Sequence, residues 1–140
     1  MGSRRRSREF AMQFLFQIEM NRDNASEADE LFCNHFKVPE NVRPFFLRLV
    51  EGVKKSQHEI DTLIERFSEN WKISRMSRVD RNIIRIAVYE LLYCNDIPPK
   101  VSINEAIDIG KKFGTEESGG FINGILDSIR NALEKEKRLH

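Results

Sequence analysis

RVDRNIIRIAVYELLYCN, residues 78–95, is the stretch whose reading decides the fold. Wrapped on a helix, its apolar residues fall on two sides. Val79, Ile83, Ile86, Ala87, Tyr89 and Tyr93 lie on one, and Ile84, Val88, Leu91 and Leu92 on the other. A helix that is apolar around most of its circumference needs neighbours on most sides, so this one is expected to be central and buried. The run is too long for an ordinary strand and holds neither Pro nor Gly. Ser77 is placed to cap the first turn, and Asp80 sits where a carboxylate meets the partial positive charge of a helix N-terminus. Pro98 and Pro99 close the segment.

Outward from that element, nearly every segment reads as helix. Towards the N-terminus, residues 4–20 place Phe10, Ala11, Phe14, Leu15 and Ile18 on one inward face. A polar break at 21–24 precedes a short helix opened by Ser26 and carrying Leu31, Phe32 and Phe36. Pro39 is read as starting a further helix, with Val42, Phe45, Phe46, Leu49, Val50 and Val53 on its apolar side. Ser56 with Glu59 reads as a capping box for another, through Ile60, Leu63, Ile64 and Phe67. Trp71 and Ile73 lead into the central helix. Beyond it, Ser102 with Glu105 reads as a second capping box, followed by Ile103, Ala106, Ile107 and Ile109, with Gly114 as a stop. Thr115 is read as opening the last helix, which carries Phe121, Ile122, Ile125, Leu126, Ile129 and Leu133. No stretch alternates with period two. The expected fold is all-α: a compact bundle of about seven helices, one domain over 1–140, in two small subdomains (approximately 1–72 and 73–140) around the buried central helix.

Composition narrows the function. The formal net charge is +1, but it is unevenly placed. The first ten residues carry Arg4, Arg5, Arg6 and Arg8 against Glu9, or +3, which leaves −2 on the remainder. A basic tip on a near-neutral body points to an anionic partner at one place. Two cysteines, Cys33 and Cys94, make no disulfide framework, and no apolar run is long enough to cross a bilayer; a reducing, cytoplasmic setting is expected. Cys33 and His35 lack a partner pair at zinc spacing, and His58 stands alone, so no metal is expected. Gly110-Lys111-Lys112 lacks the upstream glycine of a phosphate loop, and there is no dinucleotide fingerprint, so no cofactor is expected. Gly120 and Gly124, four apart, suggest close helix packing. Glu90 falls among Val79, Ile83 and Ile86 on the wheel and reads as a partly buried structural carboxylate paired with an Arg or a backbone amide. With no second carboxylate placed beside it, the chain is not expected to be an enzyme.

Recognition is the chemistry that remains. Four guanidinium groups at one helix start offer forked donors that match phosphate oxygens and stack on bases. Like charges there oppose the helix dipole, which calls for a reason. Arg5, Arg8, Met12 and Phe16 share one stripe, with Phe16 nearly opposite the centre of the inward face. An aromatic ring in line with arginines is a candidate stacking platform for an unpaired base, although the same spacing also suits packing beneath a second helix.

Three blocks carry a family likeness: RRRSREFAMQFLFQ at 4–17, VDRNIIRIAVYELLY at 79–93, and VSINEAIDIGKKFGTEESGGFINGILD at 101–127. In this order, over nearly the whole chain, they resemble the transcription antitermination factor NusB family. The resemblance implies an all-helical RNA-binding protein. It would bind a short single-stranded boxA element of nascent ribosomal-RNA leaders together with NusE, a protein of the small ribosomal subunit. With other Nus factors on RNA polymerase, such a pair would suppress termination and support ribosomal-RNA processing. Carried over by position, the RNA contacts would be Arg4, Arg5, Arg6 and Arg8, then Phe16, then Glu117 and Phe121. Many relatives have Tyr where this chain has Phe16, so stacking is retained there and a phenolic hydrogen bond is not. Asp80 matches an acidic position associated with the NusE side, with Arg78 and Arg81 beside it. Monomer and homodimer both stay open, and a dimer would be able to hide the RNA face.

Other readings compete. One is a helical adaptor that docks a protein without touching RNA. A second is an RNA-binding domain like those fused to ribosomal-RNA cytosine methyltransferases; with no methyltransferase domain and no glycine-rich cofactor loop, this sequence would be the RNA-binding part alone. A third, a DNA-binding protein, lacks a helix-turn-helix signature.

Overall fold

The computed structural model describes residues 2–21, 28–68 and 72–136. Among these the chain forms six α-helices: α1 (Ser3–Asn21), α2 (Ala28–His35), α3 (Arg43–Phe67), α4 (Arg78–Tyr93), α5 (Pro99–Phe113) and α6 (Ser118–Lys135). One 3-10 turn, Ile73–Arg75, leads into α4, and there is no strand among the described residues.

The central element is α4. Ser77 caps it, its hydroxyl accepting from the Asp80 backbone N–H at 3.0 Å. Ile83, Ile84, Ile86, Ala87, Val88 and Leu91 are all buried, because α4 packs against α1, α3, α5 and α6 at once. Truncating a side chain such as Leu91 in a core of this kind costs about 2–5 kcal/mol. The helix emerges at its ends, where Arg78 and Tyr93 are exposed. At the other side of the core the rings of Phe14, Phe32 and Phe46 meet with centroids 5.2–5.7 Å apart and join α1, α2 and α3. Edge-to-face and stacked pairs at this spacing add to the burial term.

The expected seven helices are six, because 39–55 and 56–67 do not separate. Ser56 departs from helical geometry (φ −108°, ψ 18°) inside a continuous α3. The buried face explains why the helix is kinked there and not restarted. Val53 and Ile60 are seven residues apart, two turns, so Phe46, Leu49, Val50 and Val53 stay in phase with Ile60, Leu63 and Ile64. The start of this helix also differs from expectation. Residues 39–42 make a turn in which the Arg43 N–H donates to the Pro39 carbonyl, and α3 begins at Arg43 with Pro44 in its first turn.

The capping box expected at Ser102 is absent for a related reason. Pro99 occupies the first turn of α5, a place proline tolerates well, so the pair of prolines that closes one helix opens the next. Ser102 is consequently inside the helix and buried. The last helix starts at Ser118, three residues after Thr115; the Thr115 N–H donates to the Ser118 hydroxyl at 2.9 Å in the intervening turn. Gly120 and Gly124 do not mediate close packing. They are exposed, with open space where a Cβ would stand, because the inward face of α6 is Ile122, Ile125, Leu126, Ile129 and Leu133. Close approach falls instead at Gly52, where a Cβ would lie 2.2 Å from the Tyr89 ring, and at Gly110, 2.5 Å from Ile122 Cδ1. The expected helix start at Ser26 and the lead-in residue Trp71 lie outside the described residues.

Candidate nucleic-acid interface

The arginines of α1 divide into inner and outer sets. Arg8 is inside, 4% exposed. Its Nε and Nη2 donate to the two carboxylate oxygens of Glu90, both at 2.8 Å, and the Ser102 hydroxyl donates to Glu90 Oε1 at 2.7 Å. Glu90 is 1% exposed, so this is a desolvated, forked ion pair closed by a hydroxyl, and it ties α1, α4 and α5 together. Met12, next along the same stripe, is buried in the seam formed by Ile83, Ile86, Ala106 and Ile109. The stripe of Arg5, Arg8, Met12 and Phe16 is therefore not an open face along its length. Its middle is sealed because α1 packs on α3 and α4, with Arg8 and Met12 turned towards α4 and the side chains of α5.

At the outer end Arg5 is half-exposed and held by two carboxylates of α5. Its Nη2 donates to Glu105 Oε2 at 2.8 Å and to Asp108 Oδ2 at 2.9 Å. Arg8 Nη1 adds a longer bond of 3.3 Å to Glu105. The hydrogen bond from Arg5 is the chief reason the Glu105 carboxyl is held below its ordinary range, against the opposing effect of burial. Arg4 and Arg48 share Asp96, at 3.0 and 3.1 Å, and their hydrogen bonds hold that carboxyl well below the usual carboxylate range. The guanidiniums of Arg4, Arg8 and Arg48 gather over the Phe45 ring, 4.8–5.9 Å from its centroid. Arg6 is exposed, lies 5.7 Å from the Phe10 ring, and has no carboxylate partner among the described residues. Between α1 and the turn into α5 a cleft of about 440 Å³ opens, with Arg4, Arg5, Asp96 and Glu105 on its polar side and Pro98 and Val101 on its apolar side.

The charge excess read from the first ten residues is thus largely balanced in space. Asp96, Glu105 and Asp108, more than ninety residues away in sequence, return to the same tip. Sequence reasoning had placed Arg8 and Glu90 in separate roles and did not single out Asp96, Asp108 or Arg48. The signal for the acidic set was legible: Val101, Glu105 and Asp108 lie at i, i+4 and i+7, one stripe of α5.

The remaining site residues are distributed along α1, α4 and α6. Arg5 faces Glu105 and Asp108, and Glu9 takes Lys112 at 3.2 Å, so α1 and α5 run side by side in the same direction. Phe16, half-buried, therefore lies towards the turn between α5 and α6. Glu117 is exposed at the N-cap position of α6, and Phe121, one turn on, is half-buried against the edge of the core. On α4, Asp80 carries a buried carboxylate oxygen, Oδ1, that has no hydrogen-bond partner among the described residues. The positive end of the α4 dipole offsets part of that cost. Arg78 is exposed, its Nη1 2.7 Å from Met20 Sδ. Arg81 is an internal strut: it pairs with Glu19 at 2.9 Å and donates to the carbonyls of Ile73 and Met76. Asn82 and the buried Arg85 also donate to Glu19, and Arg85 grips Asp61 of α3 with two bonds of 2.8 and 3.0 Å. Burial works against ionising Glu19, but the bonds from Asn82 and Arg81 outweigh it and lower the carboxyl.

Among the described residues no three His, Cys, Asp or Glu side chains converge to hold a metal ion, and no helix is long and apolar enough to cross a membrane. What the arrangement offers is a row of planar cations, an aromatic ring and a mixed polar and apolar cleft, the parts used to bind unstacked nucleic acid. Fold and site together define a small all-α recognition protein. Residues 5–131 match the NusB family. The transcription antitermination protein NusB of Desulfatibacillum aliphaticivorans is 56% identical over 99% of this chain and 96% of its own length. A solved NusB of T. maritima is 42% identical, with a TM-score of 0.82 over 91% of this chain and 90% of its own. A solved complex of the antitermination factors NusB and NusE with dsRNA contains a chain that is 26% identical, with a TM-score of 0.84 over 94% of this chain and 98% of its own. The chain belongs to the NusB family of transcription antitermination proteins.

Proposed function

We propose that this protein is an RNA-binding transcription antitermination factor that takes a boxA-type single-stranded leader RNA together with NusE, supporting ribosomal-RNA transcription and processing in the cytoplasm. One observation carries the reading. The first turns of α1 present Arg4, Arg5 and Arg6 at or near the surface, at the head of the line that leads to Phe16. In this scheme the outer arginines take phosphates, Phe16 and Phe121 take bases, and Glu117 meets a base or sugar edge. Arg8 supports from behind, because its guanidinium is spent on Glu90. The solved relative held with NusE and dsRNA supports both partners. Asp80 and Arg78 are assigned to the NusE side, with Arg81 bracing them through Glu19. Other Nus factors and RNA polymerase would join through that pair, and no catalytic step is assigned to the chain.

The test is fluorescence anisotropy with a labelled boxA-type 12-nucleotide RNA, with and without NusE, against a duplex RNA and a duplex DNA of the same sequence. Arg5→Ala/Arg6→Ala should weaken binding at least tenfold, and Phe16→Ala by a comparable factor. If three phosphates are neutralised, log K should fall with log salt at a slope of roughly −2. Binding that is indifferent to salt and to these substitutions would leave the protein-only adaptor as the better reading.

A further inference from the structure

Resting on that reading, we infer that Asp108 is a displaceable counter-ion that makes the interface selective. It occupies Arg5 in the free protein and gives way when an RNA phosphate arrives in the right place. The two carboxylates on Arg5 are not equivalent. Glu105 is 21% exposed, bonds Arg5 with both oxygens and also takes Arg8, so it is built into the helix junction. Asp108 is 50% exposed and makes a single contact of 2.9 Å to one nitrogen, Nη2. Exposed single-contact pairs of this type are weak, so Asp108 is the partner that exchanges while Glu105 keeps the guanidinium aimed. A phosphate oxygen approaching Nη2 must take the place of Asp108 Oδ2 and meets its charge on the way.

The consequence is a filter. With Arg4 on Asp96 and Arg5 on Glu105 and Asp108, the tip exerts little attraction on a polyanion at a distance. A strand bound only through its backbone gains little by replacing one anion with another. A strand whose bases also engage Phe16 and the cleft gains that energy besides, and completes the exchange. Repulsion aimed at wrong ligands is a general route to specificity. Asp108 supplies it without any contact to a base.

The experiment titrates wild type, Asp108→Asn, Glu105→Gln and, on the last turns of α6, Glu134→Gln with the labelled boxA-type 12-mer and with labelled rU12. Asp108→Asn keeps the shape and removes the charge. It should bind both RNAs more tightly at 50 mM salt, by about two- to fivefold for rU12 and by less for the boxA-type strand. That gain should vanish near 0.5 M salt, where screening is short-ranged. Glu105→Gln should weaken binding, since it frees the guanidinium it orients, and Glu134→Gln should leave affinity unchanged. The proposal is overturned if Asp108→Asn binds no more tightly than wild type, if Glu134→Gln tightens binding as much, or if the gain is larger for the boxA-type strand. A wild-type protein that binds neither RNA would instead sink the proposed function.

Discussion

Removing one member of the Arg8–Glu90 pair tests the packing of the whole tip. Glu90 accepts three hydrogen bonds of 2.7–2.8 Å at 1% exposure, and Arg8 is 4% exposed. In Glu90→Leu the guanidinium stays buried, with only the 3.3 Å contact to Glu105 to compensate its charge. Breaking a buried pair in this way costs about 3–5 kcal/mol. For a chain of 140 residues that is a melting temperature lower by roughly 10–20 °C. Replacing both partners behaves differently, because desolvating two charges is itself expensive. Arg8→Met/Glu90→Leu removes that cost along with the attraction, and the Ser102 hydroxyl can turn to its own helix carbonyls. The double variant should recover at least half of the loss, giving a coupling of about 2 kcal/mol or more in a double-mutant cycle. Urea titrations of the four proteins at pH 7 supply the cycle, and RNA affinity of the refolded double variant completes it. That affinity should stay within about threefold of wild type. A single-variant cost under 1 kcal/mol, or strictly additive costs, refutes the assignment of Arg8 as a buried strut. A folded double variant that no longer binds RNA refutes its indirect role.

Acid should unfold the protein through the tip and the Glu19 network. Glu105, Asp96 and Glu19 are all held below their ordinary range, so what they contribute is fully present above the unfolded values of about 4 and is lost as pH falls through the folded ones. Urea midpoints should be level from pH 5.5 to 8 and fall steeply below about 4.5; a midpoint insensitive to acid would contradict the ion-pair geometry. Cys94 is buried, and burial pushes its thiol up to about 11, so in a Cys33→Ala background it should resist a disulfide reagent at pH 8 until urea exposes it. Gly52→Ala and Gly110→Ala should each cost about 1–3 kcal/mol from overpacking against Tyr89 and Ile122, whereas Gly124→Ala, facing open space in mid-helix, should stabilise by about 0.5–1 kcal/mol. Thermal melts of the three variants would reveal a wrong assignment of α6's inward face as a reversed order.

Which parts of this structure are legible in the sequence follows from the range of the interactions that set them. The burial of α4 is written in its own composition, since a helix apolar on two sides has few other places to go. The Ser77 cap is equally local, spanning three residues. The boundaries at Ser56, Ser102 and Thr115 were misplaced where local capping chemistry competes with packing. Ser56 has the right partner at i+3 for a cap, but the two-turn spacing of Val53 and Ile60 holds α3 together. Ser102 has Glu105 at i+3, yet Pro99 has already started the helix and the hydroxyl is drawn to Glu90 instead. Glu90 reads from its wheel position as a partly buried carboxylate that pairs with an Arg or a backbone amide, and the structure supplies the Arg. That the partner is Arg8, eighty-two residues upstream, is fixed by how α1 packs on α4, which no local rule encodes.

That same separation bears on how the tip works. An arginine run on an isolated helix start would repel itself and oppose the dipole. Here the cost is met by acids from the α4–α5 turn and from α5, so the run is stable only once the bundle has formed. The cationic surface is therefore a property of the folded state, with Arg8 immobilised on Glu90, Arg5 aimed by Glu105, and Arg6 without a carboxylate among the described residues. Holding Arg4 and Arg5 before RNA arrives would remove side-chain entropy from the proposed binding step, which otherwise costs about 0.5–1.5 kcal/mol for each long side chain immobilised. In the proposed complex the two carboxylates would act in opposite directions: Glu105 would favour recognition by orientation and Asp108 would oppose it by charge. On that proposal the balance between two residues one turn apart on α5, more than the number of arginines, would set how strictly the interface discriminates.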